Sequence, residues 1–244
     1  MLSHSEIHHH ELERIREEYA RRAREIPEDF YSLDQEGNLF AYLERTREVI
    51  QTLKHQGFFP LKGKEILEIG CGTGDWLVDF ERWGAEPQRL HGIDLDEKQL
   101  EQARCRLTNG DLRVGEASQA PWDAEQFDLV LRSTVFTSIL DDGLRQAIAN
   151  EMLRVLKPNG VILWYDFHCN NPWNPHVRGI GACEIKELFP SCVVNSRRIT
   201  LAPPISRWLA PRSWLVCYLL EQIRILNTHY LAVIKKSHGL CLKQ

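Results

Sequence analysis

Paired cysteines, long apolar runs and an excess of either charge are all missing from this sequence. Seven cysteines stand at positions 71, 105, 169, 183, 192, 217 and 241, with no C-x-x-C pair among them. An odd count without metal-ligand spacing argues against a disulfide frame or a zinc site, and reads as reduced thiols in a cytoplasmic protein. No apolar run reaches the roughly 18 residues that a spanning helix needs, so no transmembrane segment is expected. The chain is charged from Glu6 onward, unlike a signal peptide. Thirty Lys and Arg against 34 Asp and Glu leave a net charge of −4, which supplies no overall basic field to draw nucleic acid. Internal repeats and low-complexity tracts are also lacking. What is there is an ordinary globular composition, 43% apolar and 26% charged over 244 residues, enough for one α/β domain with an appendage.

The first elements read as helices. Ser3-x-x-Glu6 has the form of a capping box, and Leu12, Ile15, Tyr19 and Ile26 recur at helical spacing until Pro27. A second helix is predicted from Asn38 to about Lys54, with Leu39, Tyr42, Leu43, Thr46, Ile50 and Leu53 on one side and Gly57 closing it. Both precede any strand, so residues 1–57 are expected to form an N-terminal helical cap on a domain spanning 58–244. From residue 64 short apolar runs alternate with amphipathic stretches. Runs at Glu65–Ile69, Leu90–Asp94, Arg113–Gly115, Phe127–Leu131 and Val161–Asp166 are separated by helical patterns at Asp75–Trp83, Glu97–Leu107 and Asp142–Leu156. That alternation predicts right-handed crossovers and a parallel sheet. Residues 167–181 read as a long loop, followed by a short helix at Cys183–Phe189. Two more strands are expected at Cys192–Ile199 and Thr228–Ile234, with an insertion at about 200–227 that is helical from Ser213 to Leu226.

The informative segment is Glu68-Ile69-Gly70-Cys71-Gly72-Thr73-Gly74-Asp75. A strand runs into three alternating glycines and then straight into a helix, whose free N–H groups suit an anionic ligand. Twenty residues beyond Gly74, at the end of the next strand, Asp94 is placed to bind the two hydroxyls of a ribose. A dinucleotide site wants a small residue at position 75, where this chain has Asp75. A ligand with only a carboxylate and a cationic centre suits these residues better, which weakens a nicotinamide-dependent oxidoreductase as the reading.

On these residues the chain resembles the class I S-adenosylmethionine-dependent methyltransferases, from about Lys64 to Asp166 and more weakly to the end. The resemblance implies a Rossmann-like, doubly wound, seven-stranded and mostly parallel sheet, with S-adenosylmethionine as cofactor. It implies that Glu68, Gly70, Cys71, Gly72 and Gly74 meet the methionine part of the cofactor. Asp94 matches the ribose-binding acid and Leu95 the apolar neighbour of the adenine. Gly115-Glu116-Ala117 is similar to the family's Gly-Asp-Ala, which would put Glu116 and Ala117 at the adenine edge. Arg132, at the end of the fourth strand, is expected beside the cofactor.

The acceptor side carries no diagnostic motif. Position 132 begins Arg132-Ser133-Thr134-Val135, unlike the Asn/Asp-Pro-Pro-aromatic of amino-methylating base enzymes, and Asn171-Pro172-Trp173 follows the fifth strand instead. No cysteine lies between 106 and 168 to serve a cytosine-carbon enzyme. A small-molecule acceptor is therefore expected, methylated at oxygen, on a sugar, lipid or secondary metabolite. The alternatives are a protein or nucleic-acid methyltransferase, and a non-catalytic cofactor binder. His168 is the leading general-base candidate with Asp166 as its partner, because side chains two apart on an extended chain share one side. His176 follows, and His229 reads as a core histidine. The His8–His10 run reads as a solvated helix face, with no metal expected. Tyr19 and Tyr31 are candidate cofactor contacts. Residues 203–224, with Pro203-Pro204, Trp208, Trp214 and Tyr218 among arginines, read as a packed helix, as a lid over an apolar acceptor, or as a peripheral membrane contact.

Overall fold

The computed structural model describes residues 4–170 and 176–237. Ser3 of the capping box, Asn171 to Asn174 and Cys241 lie outside them. Two helices come first, α1 (His4–Glu25) and α2 (Glu36–His55). The alternating part then runs β1 (Ile66–Ile69), α3 (Asp75–Arg82), β2 (Leu90–Asp94), α4 (Glu97–Arg106), β3 (Asp111–Val114), β4 (Phe127–Ser133), α5 (Asp142–Val155) and β5 (Leu156–Phe167). After it come α6 (Ala182–Leu188), β6 (Cys192–Leu201), α7 (Pro203–Leu209), α8 (Trp214–Glu221) and β7 (Asn227–Lys236).

The seven strands form one sheet in the order β3-β2-β1-β4-β5-β7-β6. The first five are mutually parallel, while β7 runs antiparallel to both β5 and β6. All four residues of β1 are buried, as a central parallel strand covered on both faces requires. Alternate residues serve opposite faces. Leu67, Ile69, Val130, Ile162 and Trp164 pack with Leu144, Ile148 and Met152 of α5. Ile66, Leu129, Leu131 and Leu163 pack with Leu77 and Phe80 of α3 and Leu100 of α4.

The N-terminal helices divide between the faces. Leu12 and Ile15 of α1 join the α5 side, and Val49 and Leu53 of α2 join the α3 side. Helix α2 is also tied to the insertion. The Glu44 carboxylate accepts from the backbone N–H groups of Thr200 (2.6 Å) and Leu201 (3.0 Å), and Arg47 pairs with Glu221 at 2.6 Å.

Two expectations shift in detail. The third strand starts at Asp111 and ends before Gly115. The insertion holds two short helices instead of one, because Pro203 and Pro204 occupy the first turn of α7, where a missing N–H costs nothing. Among the described residues no helix is long and apolar enough to cross a membrane.

Candidate active site

Every element of the site lies at the carboxyl ends of the parallel strands, where ligands bind in open α/β sheets. The chain leaves β1 through Gly70, whose φ of +70° is a left-handed conformation. A Cβ at Gly70 would also stand 2.3 Å from Val135 Cγ2, so only glycine fits. Gly74, at φ +76°, is the residue before α3, and a Cβ there would press on Leu107 and Ala103 at 3.1–3.2 Å. Gly74 thus packs the loop onto α4, while Gly70, Cys71 and Gly72 line a cavity. Asp94 ends β2 and pins the loop: its Oδ2 accepts from the Gly72 N–H at 2.8 Å and its Oδ1 from the Asp96 N–H at 3.0 Å.

Two hollows meet at Gly70 and Asp94. One is a narrow apolar slot between Ile93, Leu95, Ala117 and Ile139, roofed by Leu12, Ile15 and Tyr19 of α1. The other is a cavity of about 630 Å³. Glu68, Cys71, Gly72 and Asp75 form its near wall, and Tyr42, Arg45, Tyr165, Thr200, Arg207 and His229 its far wall.

The near wall is electrostatically incomplete. Glu68 is 2% exposed, and its Oε2 is buried without a partner among the described residues. Burial first, then the charges of Asp75 and Asp94, push its carboxyl well above the ordinary range. Burial also raises Asp94, against its two backbone hydrogen bonds. An unpaired carboxylate beside two others is a place for a cation. The opposite need is met by Arg45 of α2, whose guanidinium lies 4.1 Å over the Trp76 ring with a buried Nε that has no partner. Its nearest acid, Asp79, is 3.9 Å away. Arg45 is therefore free to take a carboxylate, and its charge draws the Glu68 carboxyl back down. Arg45 carries no motif in the sequence; it is one polar position on an amphipathic helix.

The structure sorts the residues singled out from sequence. Glu68, Gly70, Cys71, Gly72 and Asp94 line the cavity, as do Tyr19 and Tyr31, and Leu95 and Ala117 line the slot. Glu116 lines neither. Arg132 and Asp166, expected at the cofactor and in catalysis, are instead an ion pair with both side chains fully buried. Arg132 lies between the rings of Phe136 (4.2 Å) and Trp164 (4.0 Å), and Asp166 also accepts from the Thr137 and Phe167 N–H groups. The residues that follow Arg132, Ser133 at the end of β4 and Thr134 just beyond it, open onto the cavity instead.

His168 lies outside the cavity lining, its Nε2 2.9 Å from the Asn227 carbonyl and its Nδ1 3.2 Å from the Cys169 thiol. His176 is exposed. The histidine in the cavity wall is His229. Its ring stacks on Tyr165 at 4.6 Å and 4°. Its Nδ1 is 3.1 Å from the Thr228 hydroxyl, which in turn donates to the Thr200 carbonyl, so Nδ1–H donates and Nε2 keeps its lone pair. Burial, then Arg45 and His168, lower its pKa to about 3, so the ring is neutral. No group of three or more metal-ligating side chains occurs among the described residues.

A doubly wound α/β domain with a glycine loop, a carboxylate at the second strand end and an apolar slot beside it defines a binder of an adenosine-type ligand. Comparison with known proteins narrows this. A family model described as "Methyltransferase domain" matches residues 66–160. The demethylmenaquinone methyltransferase of Lactococcus lactis is 30% identical over 118 residues, which cover 46% of this chain and 45% of that protein. The chain spans about half the length of the curated relatives it matches. A possible histamine N-methyltransferase from Thermotoga maritima superposes with a TM-score of 0.59 at 18% identity, covering 93% of this chain and 99% of that one. A TehB-like methyltransferase from Corynebacterium glutamicum superposes with 0.54 at 19% identity, covering 90% and 97%. Residues 66–160 are thus similar to a methyltransferase domain, and the chain shares the fold of those two structures.

Proposed function

We propose that the protein methylates a small, partly apolar molecule held in the far half of the cavity, at a hydroxyl oxygen, with a lipid or sugar as the acceptor class. The observation that carries this reading is the two-sided cavity: a polar glycine-loop wall opposite an aromatic wall of Tyr42, Trp76, Tyr165 and His229. Its volume suits a small molecule, and its enclosure by α2 and α7 is unlike the open basic track that a nucleic-acid strand needs. The demethylmenaquinone in the relatives' name is a molecule that an aromatic wall of this kind would suit.

The residues present fit the cofactor. Asp94 would hold the ribose hydroxyls, Leu95 and Ala117 the adenine, Arg45 the carboxylate and Glu68 the cationic end. Bound there, S-adenosylmethionine supplies an already activated methyl group on a sulfonium. The protein's own work is then to align and to dry the reacting pair. Tyr165 and Trp76 exclude water. His229, neutral and part of the cavity wall, would accept a hydrogen bond from the acceptor hydroxyl at Nε2 and turn its oxygen lone pair toward the glycine loop. As a weak base it orients the hydroxyl, takes the proton only once the oxygen has gained the methyl group and become strongly acidic, and passes it on to water. His168 and Asp166 have no part in this reading, since neither reaches the cavity.

Calorimetric titration with S-adenosylhomocysteine, beside NADH and NADPH, tests the cofactor half. Binding of a nicotinamide nucleotide in its place would overturn it. Transfer of labelled methyl groups into lipid and polar cell extracts tests the acceptor half, and label recovered only in protein or nucleic acid would overturn that.

A further inference from the structure

The insertion between β6 and β7 leaves an apolar surface that no other element among the described residues covers. Leu215, Leu219 and Ile223 recur every four residues and are 69%, 57% and 48% exposed. Ile225, and Trp208 of α7, are exposed beside them. The surface continues into a groove of about 390 Å³ between α8 and α2, walled by Phe40, Leu43, Trp214 and Tyr218 with Arg47 at its side.

Its charges are arranged one way. Exposed Arg212 precedes α8 and exposed Arg224 follows it, so the stripe has a cation at each end. The one acid between residues 202 and 226, Glu221, is turned inward and paired with Arg47. Glu36 at the groove edge is occupied by the Trp214 indole N–H at 2.5 Å. Residues 202–226 thus carry three arginines against one buried acid, in a chain whose net charge is −4. Exposed Leu and Ile, Trp and Tyr at the rim and Arg at both ends are what an interfacial helix offers to anionic headgroups.

We propose that α7 and α8 dock the protein on an anionic lipid bilayer. Leu215, Leu219, Ile223 and Ile225 enter the headgroup–acyl boundary, and Arg212 and Arg224 pair with lipid phosphates. Helix α7 belongs to both surfaces: Pro203, Ser206 and Arg207 line the cavity, and Trp208 faces outward. Docking would therefore bring the mouth of the cavity to the bilayer and let a lipid-borne acceptor enter without crossing water. That last step rests on the methyltransferase reading, whereas the docking does not.

Co-sedimentation of the whole protein with phosphatidylcholine vesicles, with and without phosphatidylglycerol, is the test. The protein should pellet with the anionic vesicles and blue-shift its tryptophan emission. L215D/L219D should lower the binding constant at least tenfold. R212Q/R224Q should lower it by about fivefold per arginine and remove the preference for phosphatidylglycerol. Failure to bind either vesicle would overturn the proposal, as would binding indifferent to L215D/L219D. A dimer in sedimentation equilibrium that the same pair dissociates would assign the face to a second copy of the chain and also overturn it. S-adenosylhomocysteine affinity, measured on each variant, should stay unchanged, so that failure of docking and failure of the cofactor reading are told apart.

Discussion

Asp166→Asn should strongly destabilise the protein, so that its first effect is on stability and not on catalysis. The substitution keeps the shape of the side chain and removes its charge, which leaves Arg132 fully buried opposite a neutral amide. Among the described residues, two of the guanidinium nitrogens of Arg132 have no hydrogen-bond partner, and Asp166 is the carboxylate that pairs with it. Breaking a buried pair from one side costs about 3–5 kcal/mol. In a chain of this size each kcal/mol moves the melting temperature by roughly 2–4 °C, so a fall on the order of 10 °C is expected. Thermal and urea unfolding followed by circular dichroism would read it. Arg132→Met combined with Asp166→Leu, which leaves no charge behind, should recover most of the loss, because the pair's desolvation cost disappears with it. A single variant less than about 1 kcal/mol below the parent would refute the reasoning and return Asp166 to the catalytic candidates.

Asp94→Ala should weaken S-adenosylhomocysteine binding by roughly 100-fold or more in calorimetry, since two charge-assisted hydrogen bonds to a ribose are worth at least about 3 kcal/mol together. Glu44 is pushed up to about 7, chiefly by burial and against its two backbone hydrogen bonds. Its contribution to stability is therefore complete below the unfolded value of 4.5 and is lost as pH rises through about 7. Between pH 5 and 8 the protein should lose up to about 3 kcal/mol from this group, and Glu44→Gln should flatten that slope in urea titrations. His229 should show no imidazole titration by NMR from about pH 5 to 8, the shifts staying those of a neutral ring with the proton on Nδ1.

The parts of this molecule that were readable in its sequence are those whose signal is local. The alternation from residue 64 marks the crossovers, and the glycine loop with Asp94 marks the strand ends, because turn geometry and the two-residue strand period are written in neighbouring positions. Arg132 shows how narrow that legibility is. One step along the chain separates it from Ser133, and an apolar strand buried on both faces gives no alternation to say which residue looks out. His229 was unreadable for a different reason. It reaches the cavity because β7 returns antiparallel to β5 and sets His229 opposite Phe167, a pairing across 62 residues that no local pattern encodes. Arg45 depends likewise on where α2 lands. Helix α7 was within reach: a Pro-Pro pair at a first turn is a known start signal.

The unpaired carboxyl of Glu68 has a consequence for how the site loads and empties. Burial and the charges of Asp75 and Asp94 hold it well above its ordinary range. On the reading proposed above, a sulfonium held beside it would favour the ionised form, so binding would release a proton and affinity for that ligand would rise with pH. A neutral thioether product would lack that charge. The carboxyl would then regain its proton, and the attraction that held the donor would not hold the product. Glu68 would in this way act as a charge-sensing latch, tight on the donor and slack on what the donor becomes.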